Sequence, residues 1–129
     1  MFFRHLIVSL TWALLLLAAH SVPGTDLVYD DPWELFRIDK LAHASMFAVF
    51  VVMLMVAFRK QDVSRTLKFH ARKWSTIVAC SYGAMLEFYQ GYCYTGRTTE
   101  VLDFVADSIG CLLGLLLFRF IYGSELARV

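Results

Sequence analysis

The stretch EVLDFVADSIGCLLGLLLFRF, residues 100–120, is apolar and long enough to cross a bilayer, yet its first half carries Glu100, Asp103 and Asp107. A membrane crossing takes about 20 mostly apolar residues, and in lipid every backbone polar group needs an internal partner, so such a run must be helical. Three further runs share the character, at residues 5–20, 41–58 and 74–94, and the fourth span itself covers 101–122. The expected fold is an all-α integral membrane protein, a four-transmembrane-helix bundle forming one membrane domain over residues 1–129. Apolar residues make up 59% of the chain, above the roughly 45–50% usual for soluble domains. A net charge of +1 gives no basic surface for nucleic acid.

The connections orient the bundle. Residues 59–73, RKQDVSRTLKFHARK, carry Arg59, Lys60, Arg65, Lys68, Arg72 and Lys73 against Asp62 alone, and basic loops stay in the cytoplasm. The segment fits either a short basic helix on anionic lipid or a plain solvated loop. Residues 21–38 are acidic through Asp26, Asp30, Asp31 and Glu34, and the turn at 91–100 is short. Both termini are therefore expected to be cytoplasmic, with 21–38 and 91–100 outside. The first run also fits a cleaved signal peptide, with Arg4 before it and AHS at its end; cleavage would leave the remaining topology unchanged. Tyr29, Trp33, Tyr92 and Tyr94 fit an outer aromatic belt and Trp74 an inner one. Cys80, Cys93 and Cys111 show no CxxC spacing and read as buried thiols.

With that orientation the polar residues converge on one side. Asp39 and His43 share a face at the outer mouth of the second span, beside Lys40, and Phe47 continues that face inward. Glu87 lies about 10 Å below Tyr94, with Gln90 on the same face and Gly83 a turn deeper. Asp107 is about 10 Å into the fourth span, on a stripe with Glu100, Asp103, Gly110 and Gly114. Asp39, Lys40, His43, Glu87, Gln90, Arg97, Asp103 and Asp107 thus reach the outer third of the membrane, while the inner halves VVMLMVAF and CLLGLLLF are bare. One ionised Asp at a helix centre costs about 2.5–3.5 kcal/mol, so these groups should face the bundle and one another.

Each residue alone has a plainer reading. Asp39 suits a helix cap, and His43 a satisfied interface histidine. Glu87 and Gln90 suit interhelical hydrogen-bonding at about 0.6 kcal/mol per bond. Arg97 suits a headgroup anchor, and Gly110 with Gly114 a GxxxG packing face that also permits self-association. The concentration of all the polar groups on one side is what favours a site.

The motifs DKLAHASMF, EFYQ and GRTTEVLDFVADSIGCLLG resemble the VanZ-like family of small bacterial membrane proteins, over about residues 23–114. The resemblance implies a multi-pass protein of the bacterial cytoplasmic membrane. The family takes its name from a protein associated with teicoplanin resistance, and its pattern matches Asp39, Lys40, His43, Glu87, Gln90, Arg97, Asp103 and Gly110. At Asp107 the family often has asparagine. This chain then either attracts a cation more strongly there or keeps one carboxyl protonated.

One function these residues suit is binding or acting on a phosphate-bearing cell-envelope amphiphile, such as a lipid-linked precursor. Lys40, Gln90 and Arg97 would bind it, Arg97 by a bidentate fork. His43, Glu87, Asp103 and Asp107 are the candidate catalytic groups, with His43 as acid or base. Asp39, His43, Glu87, Asp103 and Asp107 are candidate ligands for a divalent metal. One imidazole among oxygens suits Mg²⁺ or Mn²⁺, with Zn²⁺ possible. Ser45 and Ser108 lie at a suitable depth without a nucleophile motif. The other class is a non-catalytic accessory protein whose polar network locks the bundle, pairing for example Asp39 with His43 and Gln90 with Asp103, and contacts an envelope partner. Ion transport is disfavoured, since the inner half offers no polar stepping stones.

Overall fold

A computed structural model describes residues 2–21, 32–93 and 101–127, with side chains over 3–21, 37–93 and 101–123. The described elements are α1 (Phe2–His20), α2 (Pro32–Lys60), α3 (Arg65–Phe69), α4 (Ala71–Cys93) and α5 (Val101–Ala127), with no strand among the described residues.

Three helices are long and apolar enough to cross a membrane, over Phe3–His20, Arg37–Lys60 and Val101–Gly123. Helix α4 is not among them, because Glu87, Gln90 and its hydroxyl residues dilute an otherwise apolar run. Helix α2 starts well before its apolar stretch, at a proline, which suits a first turn where the backbone N–H has no intrahelical acceptor. Asp39, which the apolar pattern placed at the helix cap, therefore sits inside α2. At the far end of α5, Gly123 takes a φ of 76° and interrupts the helical geometry, a backbone region glycine enters without steric penalty.

Cross-helix contacts fix the relative directions. Helices α1 and α2 are antiparallel: Trp12 Nε1 donates to Met46 O at 3.0 Å, and the rings of His20 and His43 meet edge-on with centroids 4.7 Å apart. Helices α1 and α4 run together, since Tyr82 Oη donates to Ala13 O at 2.6 Å and Gln90 Nε2 to His20 O at 2.9 Å. Helices α2 and α5 also run together, with Lys40 on Asp103, His43 on Asp107, and Gly110 and Gly114 against Ala44 and Ala48.

Helix α2 is the centre of the bundle and packs on α1, α4 and, most extensively, α5. The α2–α5 seam is close because it is built from small residues. A Cβ added at Gly110 would lie 2.8 Å from Ala44 Cα, and one at Gly114 would lie 3.1 Å from Ala48 Cα. In lipid, where apolar burial drives nothing, such approach gives the dispersion contacts that hold helices together. The GxxxG face is thus occupied by α2 of the same chain, and any self-association of α5 would use Leu112, Leu116 and Phe120, which are exposed. Beyond the polar end, Phe50, Val51, Leu54 and Met55 of α2 pack with Leu16, Ala79, Cys111 and Phe118 into an apolar core. Ile7, Leu10 and Leu14 of α1 and Phe88 of α4 face outward, a surface suited to acyl chains rather than water.

The basic connection folds around Gln61. Its buried amide accepts from Val63 N and Ser64 N, both at 2.8 Å, and donates to Ser64 O at 2.6 Å. Ser64 Oγ then caps α3 by accepting from Leu67 N. Lys68 Nζ donates to Asp62 at 2.8 Å and holds that carboxyl below its ordinary pKa.

Trp74 and Tyr92 are exposed near opposite ends of α4, as belt residues would be; the side chains of Tyr29, Trp33 and Tyr94 lie outside the described residues. All three cysteines are free, but only Cys111 is buried. Cys93 is exposed because it ends α4, past the last turn that packs on the bundle.

Candidate functional site

The site lies where the C-terminal ends of α1 and α4 meet the N-terminal parts of α2 and α5, and helical spacing puts its side chains there. Positions 39, 40 and 43 of α2 present Asp39, Lys40 and His43 within about one turn. Positions 103 and 107 of α5 present two carboxylates four residues apart, and the parallel α2–α5 register sets each opposite a cation or an imidazole. Lys40 Nζ pairs with Asp103 Oδ1 and lies 3.5 Å from Asp39 Oδ2. His43 Nδ1 lies 3.0 Å from Asp107 Oδ1, and its Nε2 is 3.8 Å from Asp39 Oδ1, too long for a hydrogen bond.

Burial grades the site from rim to floor. Asp39 keeps 36% of its side-chain surface and Asp107 only 1%. His43, Glu87, Gln90 and Asp103 are all buried. The floor is Phe47, fully buried, with Gly83 beside it: a Cβ at Gly83 would lie 3.0 Å from Asp107 Oδ2 and 3.2 Å from Phe47 Cε1. Glycine at 83 therefore leaves room that Asp107 uses. Asp107 Oδ2 is buried with no hydrogen-bond partner among the described residues.

Helix α4 contributes Glu87, whose carboxylate comes near the ligand atoms of His20, His43 and Asp107, all within 4.8 Å of one another. A second group, Asp39, His43 and Asp103, meets the same spacing, but there the Lys40 ammonium already pairs with both carboxylates. Gln90 donates its amide to His20 O, not to Asp103, so it secures the end of α1 beside the cluster. Ser45 Oγ and Ser108 Oγ donate to Leu41 O at 2.7 Å and Phe104 O at 2.9 Å within their own helices, so neither is presented as a nucleophile. Gly110 and Gly114 set the seam and carry no site chemistry. Arg97 lies outside the described residues.

The residue that sequence reasoning missed is His20. It ends the first apolar run and reads there as a span terminus. The available signal was its level: a polar side chain at the end of one helix lies at the same depth as Asp39 and His43 near the start of the next. Its Nδ1 lies 2.8 Å from Leu16 O. A carbonyl only accepts, so Nδ1 carries the hydrogen and Nε2 is the lone-pair nitrogen.

The family model described as VanZ/LLP1 matches residues 3–122. That span exceeds the motif-bearing stretch at both ends and takes in α1 with His20. Comparison with curated proteins and with solved structures returned no match. With nearly all of the described bundle inside the matched region, the chain belongs to the VanZ/LLP1 family.

Proposed function

We propose that this membrane protein has four spans with both termini in the bacterial cytoplasm, and that its outer polar site binds a phosphate-bearing amphiphile of the cell envelope. The four-span reading is supported by the parallel course of α2 and α5. Two consecutive crossings in one direction need a return between them, and α4, with 23 residues, reaches about 35 Å at 1.5 Å per residue. Ser75, Glu87 and Gln90 on α4 are buried within the bundle.

The observation that carries the ligand class is the two-sided character of the outer ends of α2 and α5. Lys40, His43, Asp103 and Asp107 face inward, while Ile38, Leu41, Val101 and Leu102 are exposed outward on the same turns. A headgroup could reach the charged cluster while its chain lies on those apolar side chains. Lys40 and, in the connection between α4 and α5, Arg97 supply cations for phosphate. His43 is the group placed for proton transfer.

The alternative, a structural lock, draws on the paired residues: Lys40 with Asp103 and His43 with Asp107. Native mass spectrometry of the full chain with polyprenyl phosphate and with the matching polyprenol separates the two readings. The amphiphile reading expects a phosphate-dependent adduct that Arg97→Ala weakens at unchanged thermal stability. Equal retention of both lipids, or of neither, would leave the lock as the better account.

A further inference from the structure

The geometry points to a first-row divalent metal site, with zinc the best match, held by His20, His43, Glu87 and Asp107 at the outer end of the bundle. Four helices supply one ligand each: His20 from α1, His43 from α2, Glu87 from α4 and Asp107 from α5. All four residues are buried, and one ligand atom from each lies within 4.8 Å of the others. Metal–ligand bonds of about 2.0–2.2 Å place tetrahedral ligand atoms about 3.4 Å apart. A modest inward movement of side chains therefore closes the set around an ion.

Hydrogen bonds behind the ligands already orient the set. His20 donates Nδ1–H to Leu16 O at 2.8 Å, and a ligating histidine characteristically uses its other nitrogen in this way, to fix tautomer and ring plane. The end of α1 that carries His20 is held in turn by Gln90, through the 2.9 Å bond to the His20 carbonyl. Asp107 supplies the observation that points to a ligand. It is 1% exposed, and its Oδ2 has no hydrogen-bond partner among the described residues. A buried carboxylate oxygen left in that state costs stability unless something cationic meets it. The 3.0 Å contact between His43 Nδ1 and Asp107 Oδ1 is the form in which two of the ligands already touch.

Charge selects the ion's valence. Two ionised carboxylates and two neutral imidazoles sum to minus two, which a divalent cation cancels, and neutrality matters where water is excluded. Donor type selects the metal. Two imidazoles with two carboxylates suit zinc, then iron(II) or manganese(II), and disfavour magnesium and calcium, which prefer all-oxygen sets. Including His20 therefore moves the expectation away from the magnesium that a single imidazole would suit.

The site is independent of the amphiphile reading, and its test uses no added lipid. The full chain, purified in mild detergent and stripped with chelator, is titrated with Co²⁺ as a spectroscopic stand-in for zinc. One equivalent should bind, with visible d–d absorption and a raised melting temperature, and excess Zn²⁺ should displace it. His20→Ala should weaken Co²⁺ binding at least about 100-fold, since even outer-shell partners of a metal are worth about 10–100-fold. His70→Ala, on the exposed connection at the opposite end, should bind as wild type. Absence of stoichiometric uptake by the wild-type chain overturns the site, as does a His20→Ala protein that binds undiminished. If His20→Ala fails to fold, X-ray absorption of the wild-type cobalt form decides, and fewer than two imidazole ligands overturns the assignment. Failure of polyprenyl phosphate to bind would leave every one of these outcomes unaffected.

Discussion

His43 Nδ1 and Asp107 Oδ1 stand 3.0 Å apart across the α2–α5 seam, one helical turn deeper than the pair formed by Lys40 and Asp103. Two ion-pairing rungs followed by two small-residue rungs, Ala44 on Gly110 and Ala48 on Gly114, make one continuous register. The polar site and the tightest packing of the bundle are therefore consecutive parts of the same interface.

The upper rung can be tested by a double-mutant cycle. Lys40→Met leaves the buried Asp103 without its cation, and removing one partner of a buried pair typically costs about 3–5 kcal/mol. Adding Asp103→Leu should recover most of that loss, because the buried charge is removed and Asp39, which also loses Lys40, is part-exposed to solvent. Thermal melts in detergent read both numbers; additive losses would show that the two side chains do not depend on each other.

The small-residue rungs should tolerate no added volume. Gly110→Val places atoms inside the backbone of Ala44 and must separate α2 from α5, for a loss of about 1–3 kcal/mol or more. Leu112→Val, on the exposed face two residues along, should change the melting temperature little. Equal effects from the two would mean that the α2–α5 seam is not where the helices are held.

Gly83 tests the floor of the site apart from the fold. In Gly83→Ala the new methyl group would press on Asp107 Oδ2, 3.0 Å from the added carbon, while helix propensity gains up to about 1 kcal/mol. The variant should fold and melt near the wild-type temperature but bind Co²⁺ several-fold more weakly. Undiminished binding would mean that Asp107 does not use that space.

Topology is open to a test with a native thiol. Cys93 is exposed at the end of α4, whereas Cys80 is half-buried and Cys111 buried. A membrane-impermeant maleimide applied to intact spheroplasts should label the chain at Cys93, and Cys93→Ser should abolish the labelling. Labelling only after permeabilisation would reverse the proposed orientation.

The anchoring of α1 rests on three long-range hydrogen bonds, from Trp12 to Met46 O, from Tyr82 to Ala13 O and from Gln90 to His20 O. Tyr82→Phe removes one of them and should lower stability by between zero and about 1.7 kcal/mol, with about 0.6 the average for interhelical bonds in a membrane. A shift outside that range in detergent melts would place the attachment of α1 elsewhere.

Much of this protein follows from sequence-local physics. Run length against bilayer thickness predicts apolar helices, and three of them have the length and composition to cross. Helical periodicity puts Asp39 with His43 on one face and Asp103 with Asp107 on another, and the gathering of polar groups at one end is legible without coordinates. Partner choice is not, because periodicity fixes the face of each helix but says nothing about which helix that face meets. Gln90 meets the carbonyl of His20 instead of Asp103, and α2 takes up the GxxxG face of α5. Helix ends were also hidden: α2 extends past its apolar stretch and draws Asp39 into its interior. Only the tertiary arrangement brings His20, at the edge of its own helix, against His43, Glu87 and Asp107. A convergence of four helix ends is set by packing at the Gly110 and Gly114 seam and by the hold of Gln90 on α1, and no segment read alone contains it.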